Sequence, residues 1–244
     1  MAKQDRAIRT RQTILEAAAA VFDERGYDAA TISEILARAE VTKGALYFHF
    51  ASKEELAHAV VDAQAAMLPP YPDLAWSSRM QQLVDLGMIF CHRLRVDPLL
   101  RGSARLCMEQ SATTAHRCDL FAGCTELHVR ILTEAKVRGE ALPHVVPEEV
   151  AELIVGAYGG INALSQTVCS RADLEHRASV LYEHLMPSVA MPAVLVRLDM
   201  APGRGARALA ELDRFLAGTA GTGASCLLGG AAGPVRTPAP VGAG

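Results

Sequence analysis

Apolar and polar residues recur at helical spacing along nearly the whole chain, and no stretch keeps the period-two alternation of a strand. Ile14, Ala17, Ala18, Val21 and Phe22 form one face of a helix over residues 9–25. Gly26 suits the left-handed residue that closes it, with Tyr27 placed to cover the end. Thr31 and Glu34 have the spacing of a capping box, and Ile32, Ile35, Leu36 and Ala39 then follow at i, i+3, i+4 and i+7. Glu40–Val41 makes a corner, and Thr42 caps a short third helix from Lys43 to about His49. Ser52 and Glu55 make a second capping box, opening a helix to about Met67 that Pro69, Pro70 and Pro72 end. Beyond the prolines the pattern predicts helices over about 77–96, 98–110, 120–138, 147–170, 173–186 and 192–216, the last interrupted at Pro202–Gly205. Of the final 28 residues, 18 are Gly, Ala or Pro, a composition that buries too little apolar surface to order itself.

The third helix is unusual. Ala45, Leu46 and Phe48 are available to anchor it, while Lys43, Gly44, Tyr47 and His49 face outward. A short helix presenting a Lys, a bare backbone at Gly and an exposed Tyr suits a DNA groove. The Lys can meet phosphate or a guanine edge, and the Gly lets the main chain come close. The fold class is therefore all-α. Residues 1–52 form a three-helix helix-turn-helix DNA-binding domain, 53–216 a larger helical ligand-binding and dimerisation domain, and 217–244 a disordered tail.

The stretch Gly26–Leu56, and above all T-K-G-x-L-Y-x-H-F at Thr42–Phe50, resembles the DNA-binding domain of the tetracycline-repressor (TetR) family. With K-E-E-L-A-H-A following, it is most similar to the gamma-butyrolactone receptor branch, repressors of antibiotic production and development in filamentous bacteria. The resemblance is strong over about the first 65 residues and diffuse afterwards. It implies that Thr42, Lys43, Gly44, Tyr47 and His49 face the groove, and that Thr31 and Ser33 contact phosphate. It also implies a homodimer on palindromic double-stranded DNA, with the helices near 148–168 and 173–186 packing against their symmetry mates. The other reading of those two helices is that their apolar faces serve only the monomer core.

Charge changes this picture in one respect. With 24 basic and 27 acidic residues the formal net charge is −3, so DNA affinity must come from local clusters. Lys3, Arg6, Arg9 and Arg11 stand against one Asp5 and supply such a cluster, Arg9 being the candidate contact; a solvated tail is the alternative. Lys53, at a helix start whose N–H groups suit phosphate, is either a backbone clamp or a plain surface lysine. No signal peptide and no membrane span are expected, which points to a cytoplasmic protein. Six scattered cysteines without a C-x-x-C pair suit reduced thiols.

The helices between 53 and 170 carry more apolar surface than DNA reading needs. An apolar cavity with a few oriented polar groups is what a small-ligand site looks like. Its candidates are the apolar Leu83, Leu86, Phe90, Leu106, Leu127 and Ile131 with the polar Gln64, Gln110, Tyr158, Asn162 and Gln166. Gln64 leads because Ala57–Gln64 still tracks the butyrolactone receptors. Those receptors generally carry a pocket Trp in the helix over 120–138, where this chain has Gly123; its single tryptophan is Trp76. A furan or butenolide signal, or an antibiotic intermediate, therefore stands beside a butyrolactone, and a pseudo-receptor beside a true receptor. Gly156, Gly159 and Gly160 inside one apolar helix cost about 1 kcal/mol each relative to Ala, so a partner helix or a ligand should approach there. His116, Cys118, Cys124 and His128 could hold a soft metal, but the spacing is incomplete, and no metal or other cofactor is implied. No nucleophile elbow, phosphate loop, dinucleotide fingerprint or zincin motif is present, so no catalysis is expected. The alternatives are a metal-responsive regulator and, from a different class, a helical small-molecule binding protein or enzyme.

Overall fold

A computed structural model describes residues 2–66, 78–109 and 114–221. These are helical almost throughout, and one isolated bridge joins Ala141 to Ala190. The order is α1 (Ala2–Ala29), α2 (Ile32–Ala39), α3 (Lys43–His49), α4 (Lys53–Ala66), α5 (Arg79–Val96) and α6 (Pro98–Met108). There follow α7 (Thr114–Val137), α8 (Pro147–Cys169), α9 (Leu174–Leu185), α10 (Pro192–Leu195) and α11 (Arg204–Gly221). Helix α1 starts earlier than the pattern predicts, so the basic run with Arg9 is helical. It also continues to Ala29 across a kink at Gly26, whose φ of 76° only glycine adopts freely. α11 runs through Gly221, into the segment read as a tail from 217; residues 222–244 lie outside the described ones.

Local rules set most boundaries. Thr31 accepts the Glu34 N–H at 3.2 Å while Glu34 accepts the Thr31 N–H at 3.0 Å. Ser52 accepts the Glu55 N–H at 3.0 Å, but the Glu55 carboxylate reaches one residue further, to the Ala51 N–H. Asp97 caps α6 with Pro98 in its first turn. Asp173 makes no side-chain cap on α9. The left-handed residues Ser170 and Arg171 turn the chain back on α8, so its carboxylate meets Ser165 Oγ at 2.5 Å and Arg177 at 2.7 Å.

Two cores form. The first joins Ile14, Ala18 and Phe22 of α1 to Ile35, Leu46, Phe50 and the α4 residues Leu56 and Val60, so it extends past residue 52. The second centres on α5, which is buried nearly all round by α7, α9 and α11. Its fully buried Asp85 is met by Arg204 of α11 at 2.6 Å.

Helix α6 belongs to both. Leu99, Leu106 and Cys107 enter the first core, while Leu100 and Ala104 enter the second. A buried Leu contributes up to about 1.5–3 kcal/mol, so α6 is fastened to the N-terminal unit by several kcal/mol. The helices also touch backbone to backbone, since a Cβ at Gly102 would strike the main chain of Ala19. At the end of α6, Glu109 accepts the Tyr27 N–H at 2.7 Å, just beyond the Gly26 kink.

Candidate DNA-binding and ligand sites

Helix α3 stands on two buried residues, Leu46 and Phe50, with the Arg11 guanidinium 4.9 Å over the Phe50 ring. The Thr42 hydroxyl accepts the Ala45 N–H at 3.2 Å and fixes the helix start. Glu40, left-handed at φ 54°, makes the corner from α2. Thr42, Lys43, Gly44 and Tyr47 are exposed, and His49 is half-buried. Phe48 is not an anchor: it is 79% exposed and shares the outer face with Gly44 and Tyr47. The anchor is Phe50, one residue past the helix. A Cβ on Gly44 would meet nothing within 4 Å, so the fold itself does not require glycine there. Lys43 lies 5.9 Å from the Tyr47 ring, at the outer limit of a cation–π contact.

The flanking candidates differ from one another. Arg9 and Ser33 are exposed. The Thr31 hydroxyl is already spent, donating to Glu34 at 2.8 Å and accepting its N–H. These bonds hold the Glu34 carboxyl below its ordinary range. Lys53 is half-buried, 4.5 Å over the Tyr27 ring and 3.4 Å from the Asp28 carbonyl oxygen, so it serves its own unit.

A cavity of about 130 Å³ lies between α5, α6, α7 and α8. Of the sequence candidates, Leu86, Phe90, Leu127, Tyr158 and Asn162 line it. Leu83, Leu106 and Ile131 do not: Leu83 and Ile131 are packed in the second core, and Leu106 turns to the first. The Gln64 side chain and Gln110 lie outside the described residues. Gln166 is half-buried and absent from the lining. Spacing alone missed the α6 wall, Leu100 and Ala104, and the α7 wall, Phe121, Cys124 and His128. Gly159 faces the cavity, with Met108 Sδ 3.9 Å from where its Cβ would be, whereas Gly156 and Gly160 meet nothing of this chain.

Burial dominates the chemistry of the cavity wall. It raises the Cys124 thiol and the Tyr158 phenol above their ordinary values and pushes the His128 imidazole below its own. His128 Nε2 is buried without a hydrogen-bond partner, whereas Tyr158 Oη is packed beside the Tyr182 hydroxyl. Asn162 Oδ1 accepts from Arg171 Nε at 3.0 Å. Arg171 in turn meets Asp23 of α1 at 3.1 Å, and Arg101 of α6 meets the same carboxylate at 3.1 Å. Among the described residues no group of three His, Cys, Asp or Glu could hold a metal, and no helix is long and apolar enough to cross a membrane. The His116 and Cys118 side chains lie outside the described residues.

Residues 14–60 match the model of the bacterial regulatory proteins of the tetR family. The A-factor receptor protein of Streptomyces griseus is 39% identical over 205 residues, 81% of this chain and 70% of that protein. The chain belongs to the tetR family.

Solved tetR-family structures extend the likeness over the whole fold. TylP, a regulator from Streptomyces fradiae, superposes with a TM-score of 0.70 at 41% identity, over 87% of this chain and 93% of its own. A gamma-butyrolactone receptor described as ArpA-like does so with a TM-score of 0.66 at 29% identity, over 84% and 98%. This tetR-family chain is a helix-turn-helix transcriptional repressor related to the A-factor and gamma-butyrolactone receptors. The matched segment ends inside α4 and holds all of α2 and α3, so the unit with the exposed Lys43, Gly44, Tyr47 and Phe48 is the one that the family shares.

Proposed function

We propose that the chain is a homodimeric repressor that grips a palindromic operator through two copies of α3. A small apolar signalling molecule, of the gamma-butyrolactone, butenolide or furan type, releases it. The target genes serve antibiotic biosynthesis or development, and the protein works in the cytoplasm. The observation that carries this reading is the double membership of α6. Leu100 and Ala104 wall the cavity, while Leu99 and Leu106 on the same short helix are built into the DNA-binding core. An occupant that needs more room between α6 and α7 moves α1 with α6, because the α1 and α6 backbones are in contact at Gly102. The shift is no larger than the occupant's differential affinity for the two states.

A polar tie runs parallel to the packing. Asn162 on the cavity wall holds Arg171, which holds Asp23 on α1. For the dimer, α8 carries an exposed stripe of Leu153, Gly156, Gly160, Leu164 and Val168, and Val180 is exposed on α9. An apolar stripe with two bare backbone positions suits a second copy at close range, and one helix-turn-helix unit alone buries too little for tight specific binding. The groove set is Thr42, Lys43, Gly44, Tyr47 and His49, joined by Phe48. Arg9 and Ser33 flank it on the phosphate side, and Thr31 and Lys53, tied to Glu34 and to Tyr27–Asp28, offer phosphate only what those contacts leave.

One observation favours a second reading of the ligand. Gly123, where the butyrolactone receptors generally carry a pocket Trp, is exposed with nothing within 4 Å of its Cβ position. Gly123 is absent from the cavity lining, so the occupant meets no tryptophan from this position, which favours a different occupant, as in a pseudo-receptor answering an antibiotic or its intermediate. The test is a mobility shift on DNA upstream of the protein's own gene, with and without extracts of the producing culture. Retardation that extract reverses, with the dimer kept, is expected; retardation that no extract reverses removes the release mechanism.

A further inference from the structure

His128, on the cavity wall, carries a polar atom that the fold leaves unmatched. His128 lies one turn after Cys124 on α7, with only 9% of its surface exposed. Its Nδ1 is 2.7 Å from the Cys124 carbonyl oxygen. A carbonyl can only accept, so Nδ1 carries the proton and Nε2 the lone pair. Nε2 is buried and bonded to nothing. Burial disfavours the imidazolium, which keeps the ring an acceptor at neutral pH. A buried acceptor without a donor costs free energy that a donor inside the cavity would recover.

The remaining lining sets the character of the molecule that brings the donor. Leu86, Phe90, Leu127 and Val155 are apolar. The lining guanidinium, Arg93, is 3.3 Å from the Asp97 carboxylate, so its charge is already matched. No Asp or Glu stands among the described lining residues, so a cation finds no counter-charge. The Asn162 carbonyl oxygen is taken by Arg171. The Tyr158 hydroxyl is packed against Gly87 and Tyr182, away from open space.

We infer that the cavity selects an uncharged, largely apolar small molecule carrying a hydroxyl group, and that this hydroxyl donates to His128 Nε2. The inference rests on the cavity being the effector site. It makes His128 a specificity residue: the same molecule with the hydroxyl capped as an ether fits the walls but leaves Nε2 unmatched.

The test uses the full-length protein and calorimetric titration with 4-alkylphenols, ethyl through octyl, beside their methyl ethers. The best phenol is expected to bind about 5–10-fold more tightly than its ether, the ratio that one net hydrogen bond supports. His128→Leu brings the pair within about twofold while the ether keeps its affinity, and His128→Gln, whose amide oxygen can occupy the Nε2 region, restores much of the preference. Equal binding of the pair by the unaltered protein overturns the role of His128 and leaves the cavity as effector site. So does a phenol preference that survives in His128→Leu. Failure of every phenol and every ether to bind overturns the effector-site reading, and the inference falls with it.

Discussion

The outer face of α3 and the inner wall of the cavity both carry polar groups without an intramolecular hydrogen bond, for opposite reasons. Lys43, Tyr47 and Phe48 point into solvent, where water satisfies whatever the protein does not. His128 Nε2 is shut away from water, and an unmatched buried polar atom costs about 1–3 kcal/mol. The first surface is ready to bind at no cost to the fold. The second holds stability in reserve, to be recovered only by an occupant of the right chemistry. A regulator needs this division. Its DNA face must be available in every folded molecule, whereas its sensor must gain something specific when the signal arrives. Helix α6 is where the two meet, one side in each core.

The largest expected effect comes from cutting the tie between these regions. Asp23→Ala leaves the buried Arg171 and its neighbour Arg101 without their carboxylate. Removing one partner of a buried pair costs about 3–5 kcal/mol, so urea unfolding should show a loss near the low end, because Asp23 is only partly buried. A loss under about 1 kcal/mol would mean that the tie carries no coupling worth the name. Next comes Lys43→Ala, expected to cost about 1–3 kcal/mol of DNA affinity, read by fluorescence anisotropy, with an unchanged melting temperature. If Lys43 touches only phosphate, the loss is uniform across sequences and the salt dependence becomes shallower by about one ion.

The cavity has its own signature in pH. Burial depresses His128 below its ordinary 6.5, so the fold favours the neutral ring. Its contribution is complete above that value. As pH falls below 6.5, the unfolded chain takes up a proton that the folded chain refuses, and stability drops by up to about 1.4 kcal/mol per pH unit until the folded value is reached. His128→Leu should flatten that part of the stability curve; an unchanged slope would show that other groups produce it. The smallest effect separates fold from function most cleanly. Gly44→Ala should stabilise the protein by up to about 1 kcal/mol, because alanine is the better helix former and meets nothing. It should also weaken DNA binding, because the new methyl stands where the groove must approach.

The reading face was legible in the sequence because its rules are local. Thr31 with Glu34 and Thr42 with Ala45 lie within one turn of each other, and their hydrogen bonds form as spacing predicts. The anchor of α3 was misread for the same local reason. Leu46 and Phe48 look like an apolar pair, but the chain leaves the helix at Phe50 and buries that ring instead, beneath Arg11 from α1. The cavity resisted prediction because four helices far apart in sequence wall it. Helix α5 is buried nearly all round, so periodicity could not distinguish Leu86, which faces the cavity, from Leu83, which is packed in the core. The spacing of Cys124 and His128 suits a metal pair; what it also encodes is an imidazole bonded to the backbone one turn earlier. Asp173 stands at the N-cap position of α9 but braces α8, a role that depends on the left-handed turn at Ser170 and Arg171.

The most direct test of the central claim compares the unaltered protein with Lys43→Ala/Tyr47→Ala on one labelled fragment of the DNA upstream of its gene, in excess non-specific competitor. Both substitutions lie on the exposed face of α3 and touch neither core. The account predicts retention of the fragment by the unaltered protein, a loss of at least about tenfold in affinity for the double variant, and matching melting curves. Equal retention by the two proteins would contradict it, because the outward face of α3 would then not be what holds the DNA.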